Sequence, residues 1–201
     1  LKCNSANSLT NIKDQAITGN VKDALRLNCV GVGFTIYPGS EYNFKLIEQA
    51  CNLFREAKEA GLITVLWSYA RGSMSKKGET AINIISYAAH MACLCGAHII
   101  KVKLPTSYLE EDPTKDAFIK NNIKIDTAVD RVKVIKRSCF NGRRIVVFSG
   151  GEAKDDGELL NEVRAIKEGG GNGSIVGRNC FQRSKKEALT LLDQMFSIYK
   201  N

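Results

Sequence analysis

The chain has 201 residues, of which 44% are hydrophobic and 25% are charged, as in an ordinary globular protein. No apolar run approaches the ~20 residues of a membrane span and no signal segment opens the sequence, so we expect a cytoplasmic, single-domain protein (residues 1–201) without a membrane partner. The net charge of +8 comes from lysines and arginines dispersed among acidic residues. This pattern favours solvated helix faces and argues against a nucleic-acid partner.

Strand and helix signals alternate along the chain. Helices are predicted at residues 18–28, between Ser40 as the cap and Gly61, and at 79–95, 156–168 and 185–199. Strands are predicted at residues 30–37, 62–69, within 96–103, at 144–148 and at 174–177. Such alternation implies right-handed β-α-β units and a parallel sheet. Residues 104–130 carry many charges and two prolines and are predicted as a long loop after a strand end, where parallel α/β folds place functional residues.

The number of strands leaves two architectures open. A (β/α)8 barrel usually has ~250 residues, whereas this chain has five clear strands and the tail of a sixth at residues 1–4. It is therefore either a five-stranded doubly wound sheet or the C-terminal five to six β/α units of a (β/α)8 TIM barrel whose first strands are absent.

The seven cysteines lie mostly in or beside apolar segments. Because their number is odd, we expect reduced, buried thiols in a reducing compartment and no disulfide framework. Cys93 and Cys95 lie two apart in a predicted helix and point about 200° apart, which is poor metal-ligand geometry. With only His90 and His98 nearby, we predict no zinc site.

Lys101 is the most informative residue, because it lies at the far end of an apolar, buried strand. Burial disfavours the charged ammonium, so a lysine here is paired, reaches solvent, or has a lowered pKa. Only a neutral amine attacks a carbonyl, and the last case is that of a nucleophile. A solvated residue at the rim of the sheet is the other interpretation.

Two further strand ends carry groups that bind anions. Ser149, Gly150 and Gly151 follow the fourth strand, and Gly177 and Arg178 follow the fifth. Glycines let backbone N–H groups approach an oxyanion, and arginine supplies a forked counter-charge. In barrels the loops after the last two strands often form a phosphate site, which we predict here.

The second predicted strand ends with Trp67, Tyr69 and Arg71. The Tyr69 phenol can transfer protons if its neighbours tune it, and Arg71 offers a second cation. Core aromatics and a solvated loop arginine are the alternative interpretations. Together, an amine nucleophile, a phenol and two anion-binding groups predict Schiff-base chemistry on a phosphorylated carbonyl compound.

Five segments together resemble the archaeal-type class I fructose-bisphosphate aldolases, a family also found in bacteria. They are residues 32–40 (VGFTIYPGS), 67–72 (WSYARG), 100–103 (IKVK), 148–152 (FSGGE) and 175–183 (IVGRNCFQR). The resemblance implies a (β/α)8 barrel that reversibly cleaves fructose 1,6-bisphosphate, a sugar phosphate, to dihydroxyacetone phosphate and glyceraldehyde 3-phosphate. It also implies a homo-oligomer with no metal and no cofactor.

The resemblance also implies roles for individual residues. Lys101 matches the Schiff-base lysine, Tyr69 the acid/base, and Trp67 a wall of the pocket. Phosphate contacts fall on Ser149, Gly150, Gly151, Gly177 and Arg178, with Arg71 as a further candidate. Lys103 is either a second cation in the mouth or a solvated residue, and Lys101 is favoured over it as the nucleophile.

The sequence departs from the family pattern in two places. Ala70 stands where the family commonly has proline, and the Asp-His-Gly motif of the first barrel strand has no match, so a catalytic carboxylate is missing from the predicted site. Related transaldolases or thiolases that act on another phosphorylated ketose are alternatives on the same scaffold. A non-catalytic phosphosugar or nucleic-acid binder is an alternative from a different class.

Overall fold

The structure is a computed structural model that describes residues 1–6, 9–150 and 155–200. Its strands are β1 (Asn4–Ser5), β2 (Ala16–Ile17), β3 (Gly31–Ile36), β4 (Ile63–Ser68), β5 (Ile99–Lys103), β6 (Ile145–Ser149) and β7 (Gly173–Ile175). Its helices are α1 (Val21–Arg26), α2 (Asn43–Glu59), α3 (Ile82–Leu94), α4 (Asp112–Lys120), α5 (Ala128–Ser138), α6 (Asp156–Glu168), α7 (Arg178–Phe181) and α8 (Lys185–Lys200), with a 3-10 turn at Gly78–Thr80.

The main sheet is parallel, and its strands lie side by side in chain order from β3 to β7. A doubly wound sheet reverses its strand order at a switch point, so that alternative is wrong and the barrel prediction is confirmed. Upstream of β3, Lys2 pairs in parallel with Gly33, which adds the tail of a sixth strand. Within the described residues β7 pairs only with β6, so the sheet is an open arc of a barrel.

The two faces of this arc differ in burial, because successive side chains of a strand point to opposite faces. On the outer face, which packs against the helices, Phe34, Leu66, Ile100 and Phe148 are at most 1% exposed. We call the opposite face, which carries Trp67, Lys101 and Val147 in register, the inner face. At the strand beginnings its apolar residues are far more exposed, for example Ile63 at 44% and Ile145 at 45%.

The segment at 104–130 differs from the predicted loop, because it contains α4 and the beginning of α5. Pro113 lies in the first turn of α4, where a missing N–H costs nothing. Thr127 begins α5 with a capping box, in which its side chain and that of Asp130 bind each other's backbone N–H groups. The loop prediction was therefore wrong for these residues.

Two helix boundaries also differ from the prediction. Tyr42, not Ser40, is the N-cap of α2, and it makes no side-chain capping bond. The predicted helix at 79–95 is divided into the 3-10 turn and α3, because Ala81 between them is extended. None of the helices in the described ranges is both long and apolar enough to cross a membrane.

Candidate active site

Lys101 lies on the inner face of β5, level with Trp67 of β4 and Val147 of β6. It is 9% exposed, and burial lowers the pKa of its ammonium below the usual value of a lysine. Among the residues that the structure describes, no carboxylate forms an ion pair with Lys101. Such surroundings favour the neutral amine, the form that attacks carbonyl groups.

Lys103 follows on the same face, one step nearer the carboxyl end of β5 and level with Ser149. Its Nζ lies 3.2 Å from a carboxylate oxygen of Glu79, which belongs to the 3-10 turn. Burial and the Arg71 charge lower the pKa of Lys103, whereas Glu79 acts in the opposite direction. The two lysines thus share a face but not a counter-ion.

Tyr69 and Arg71 extend from the carboxyl end of β4. The Tyr69 N–H donates to the Ile36 carbonyl at 3.1 Å, which ties this segment to the end of β3. Burial raises the pKa of the Tyr69 phenol to about 12, although Arg71 and the Ser149 hydroxyl oppose the shift. The phenol is protonated at neutral pH, the form in which a group can donate a proton.

The segments after β6 and β7 are joined by the buried Asn179, whose amide donates to the Gly150 carbonyl at 3.1 Å. A Cβ atom on Gly150 would lie 2.7 Å from a methyl carbon of Val176, so this approach requires glycine. Gly177 is the N-cap of the short α7, and Arg178 is the first residue of that helix. The two predicted anion-binding segments therefore lie against each other.

A cavity of about 770 Å³ opens where β4, β5 and β6 end. Six predicted site residues line it: Tyr69, Arg71, Lys103, Ser149, Gly150 and Arg178. Trp67, Lys101 and Gly177 are not among the lining residues, and Gly151 lies outside the described residues. The strand register places Lys101 one step deeper than Lys103, so the buried amine lies beneath the cationic mouth.

The sequence analysis missed four charged residues of this region: Lys76, Arg131 and Glu162, which line the cavity, and Glu79 beside it. Arg131, on α5, lines the cavity, and its guanidinium donates to the carbonyls of Pro105, Ile125 and Asp126. Glu79 lies at the edge of the cavity and pairs with cations that line it. Glu79 is the only acidic residue between Arg71 and Thr80. A single carboxylate among several cations was the one sequence signal that could have identified it as their partner.

All seven cysteines are free thiols, but only four are buried, because Cys29, Cys51 and Cys180 are half-buried instead of buried as predicted. The His98 ring nitrogen Nδ1 accepts a hydrogen bond from the Thr64 N–H at 3.1 Å, near the beginning of β4. In the described parts of the chain, no three His, Cys, Asp or Glu side chains are grouped in a way that could hold a metal ion.

Comparisons with known proteins agree with this geometry. The model of a family described as DeoC/LacD family aldolase matches residues 1–183. The class 1 fructose-bisphosphate aldolase of Thermoproteus tenax is 33% identical over 185 residues, covering 91% of this chain and 61% of that protein. A Methanocaldococcus jannaschii protein named fructose-bisphosphate aldolase/6-deoxy-5-ketofructose 1-phosphate synthase is 30% identical over 192 residues, covering 95% of this chain and 54% of that protein.

Among solved structures, an archaeal fructose-1,6-bisphosphate aldolase with its catalytic lysine bound to the carbinolamine intermediate has a TM-score of 0.79 at 29% identity. The match covers 98% of this chain and 70% of that one. The parallel arc and its lysine beneath a cationic cavity define an α/β-barrel protein of the aldolase type. The chain belongs to the DeoC/LacD family of aldolases, and its resemblance to the class I fructose-bisphosphate aldolases is confirmed. It spans little more than half the length of these curated relatives.

Proposed function

We propose that this chain supplies the nucleophile and the phosphate-binding residues of a class I fructose-bisphosphate aldolase. The observation that carries the proposal is the position of Lys101, which is buried beneath a cavity lined by Arg71, Lys103 and Arg178. The substrate carries two phosphates and one ketone, which is the pattern of charges and carbonyl that such a site recognises. The archaeal relative with a carbinolamine on its lysine supports the same assignment.

The first half of the reaction forms the iminium. The neutral Lys101 amine attacks C2 of fructose 1,6-bisphosphate, and its proton moves to the former carbonyl oxygen, which gives a carbinolamine. Loss of that hydroxyl as water requires a further proton. Tyr69 donates it, because its phenol is protonated at neutral pH.

The second half breaks the carbon–carbon bond. The iminium accepts the electron pair of C3–C4 while the Tyr69 phenolate takes the C4 hydroxyl proton, so glyceraldehyde 3-phosphate leaves as an aldehyde. Tyr69 then returns a proton to C3 of the enamine. Water hydrolyses the iminium, which releases dihydroxyacetone phosphate and restores the Lys101 amine.

The remaining site residues bind and orient the substrate in this proposal. Ser149, the glycines at 150, 151 and 177, and Arg178 hold one phosphate, while Arg71 and Lys103 face the other. Trp67 forms the wall beside Lys101, with which it is level in the sheet. The proposal includes a cytoplasmic location, supported by the free thiols, and homo-oligomeric assembly, supported by the family resemblance.

The name of the Methanocaldococcus jannaschii relative favours a second candidate, an aldolase or transaldolase that uses the same lysine on another phosphorylated ketose. A panel of phosphorylated ketoses and aldehydes separates the two candidates. Selective turnover of fructose 1,6-bisphosphate favours the first, and efficient transfer of the enamine to a different aldehyde favours the second.

The decisive test traps the intermediate in the complete natural protein that carries this sequence. Incubation with fructose 1,6-bisphosphate and borohydride, followed by peptide mapping, should give a reduced triose-phosphate adduct on Lys101. Lys101→Met should abolish the adduct and lower the cleavage rate by about 10⁴-fold or more, since no other group replaces the nucleophile. Lys103→Met is the matched control and should keep the adduct on Lys101. Absence of any adduct on the wild-type protein would sink the proposal.

A further inference from the structure

One carboxylate, that of Glu79, forms ion pairs with three of the cations that line the cavity. An oxygen of Glu79 lies 2.7 Å from Nη1 of Arg71, 3.2 Å from Nζ of Lys103 and 3.3 Å from Nζ of Lys76. The side chains of Glu79, Arg71 and Lys103 are 13%, 24% and 25% exposed, whereas that of Lys76 is 89% exposed. The pairs with Arg71 and Lys103 are therefore partly shielded from water, and the pair with Lys76 contributes little.

Glu79 is held in place independently of its cations. The 3-10 turn that carries it is connected to the loop after β5, because Thr106 donates its N–H to the Thr80 carbonyl at 2.8 Å. In the same loop, Glu110 accepts hydrogen bonds from the N–H and the hydroxyl of Ser75 at 2.7 and 2.8 Å. Arg71 has a second acceptor, the Ala70 carbonyl at 2.9 Å.

The two lysines of β5 have different electrostatic surroundings. Lys103 has a carboxylate partner, and that contact stabilises its charged form against burial and against the nearby Arg71 and Lys76. Burial alone acts on Lys101, which forms no ion pair within the described residues. The sequence contains two candidate amines two residues apart, and the position of Glu79 separates them chemically.

We propose that Glu79 is a positioning residue that selects the nucleophile: its carboxylate keeps Lys103 as a cation beside Arg71 and leaves Lys101 as the amine that reacts. The inference rests on the proposed Schiff-base function and extends it. A protonated Lys103 cannot attack a carbonyl but can hold a phosphate, so the carboxylate adds to the difference in depth between the two lysines and gives them different roles.

The test measures the protonation of each lysine without relying on catalysis. The complete natural protein is labelled with trace acetic anhydride between pH 7 and 11, and the acetylation of Lys101 and Lys103 is quantified by peptide mapping. In the wild-type protein, Lys101 should become reactive at lower pH than Lys103. In Glu79→Gln, the Lys103 profile should move to lower pH by about one unit, because an anion within hydrogen-bonding distance is lost, while the Lys101 profile stays in place.

Glu187→Gln is the matched control, because the Glu187 carboxylate accepts the same pair of hydrogen bonds, from the N–H and hydroxyl of Ser184, and neither residue lines the cavity. It should leave the Lys103 profile unchanged. The proposal is overturned if Lys103 titrates below Lys101 in the wild-type protein, or if Glu79→Gln shifts Lys103 no more than the control does. The wild-type comparison can still overturn the proposal if Glu79→Gln does not fold.

A second measurement connects protonation to reactivity. Borohydride trapping with fructose 1,6-bisphosphate should place at least 95% of the adduct on Lys101 in the wild-type protein, and a several-fold larger fraction on Lys103 in Glu79→Gln. If the proposed aldolase function fails, neither lysine forms an adduct, yet the acetylation profiles still confirm or refute the role of Glu79 in holding Lys103 as a cation. An adduct that stays wholly on Lys101 in Glu79→Gln, while Lys103 has shifted, would refute selection of the nucleophile.

Discussion

The outer and inner faces of the sheet are built from the same five strands but carry different kinds of side chain. Along β5, Ile100 and Val102 point outward and are completely buried, while Lys101 and Lys103 between and beyond them point inward. Along β4, Leu66 points outward, and Trp67 points inward beside Lys101. The outer face stabilises the fold by removing apolar area from water, so the inner face can carry the charges that chemistry needs.

The difference shows how a strand can place a charged residue at a fixed depth: the residues on either side of it are buried in the core on the opposite face. The backbone of Lys101 cannot move toward solvent without displacing its buried neighbours on the outer face. The core therefore sets the depth of this position in the sheet, and changes on the two faces should have separable effects. The predictions below test that separation.

After the loss of Lys101 itself, the largest expected effect is on catalysis and comes from Tyr69, at the carboxyl end of β4. Tyr69→Phe should lower the cleavage rate by about 10³-fold, since positioned acid–base groups contribute 10²–10⁴-fold, and should leave the free energy of unfolding nearly unchanged. The checks are a coupled cleavage assay and urea unfolding. An active Tyr69→Phe variant would mean that another group transfers the protons.

The same residue gives a spectroscopic measurement of its surroundings. Burial raises the pKa of Tyr69 to about 12, above the ordinary value of 10.0. Because the unfolded chain then loses this proton first, the free energy of unfolding is unaffected by Tyr69 below pH 10 and falls as the pH rises toward 12. Ultraviolet titration of the wild-type protein minus Tyr69→Phe should show this phenolate near pH 12. Its appearance near pH 10 would contradict the buried position.

The next effect compares two neighbours on β6. Phe148 points outward and is completely buried, so Phe148→Ala should lower the free energy of unfolding by about 3–5 kcal/mol. Val147 points to the partly open inner face, and Val147→Ala should cost about 1 kcal/mol or less. Urea unfolding checks both. Equal losses would show that the two faces do not differ in their contribution to stability.

The sequence predicted the outer face well and the inner face only in part. Apolar runs located all five strands of the main sheet to within three residues at each end, because burial under helices leaves a clear signal. Helix α4 was missed because it buries no residue and so lacks a strong periodic pattern. The contact of Glu79 with Lys103 was not predicted, because it joins a 3-10 turn to a strand end 24 positions away in the chain. The family resemblance favoured Lys101 over Lys103, but only the structure shows that Lys103 has a carboxylate partner within the described residues and Lys101 has none.

The smallest expected effect concerns the free-energy cost of holding Lys101 in the sheet. Burial lowers its pKa from the unperturbed value of 10.5, so between the two values the unfolded chain binds more protons than the folded protein and stability rises with pH. Lys101→Met keeps the side-chain length without the charge, and at pH 7 it should raise the free energy of unfolding by about 1–2 kcal/mol. That gain should shrink as the pH rises through the folded pKa and should be absent above 10.5, where the wild-type lysine is neutral in both states. Urea unfolding of both proteins at pH 7, 9 and 10.5 measures the trend. A gain that does not depend on pH would instead indicate better packing of methionine, and it would mean that the inner face holds this amine at no electrostatic cost.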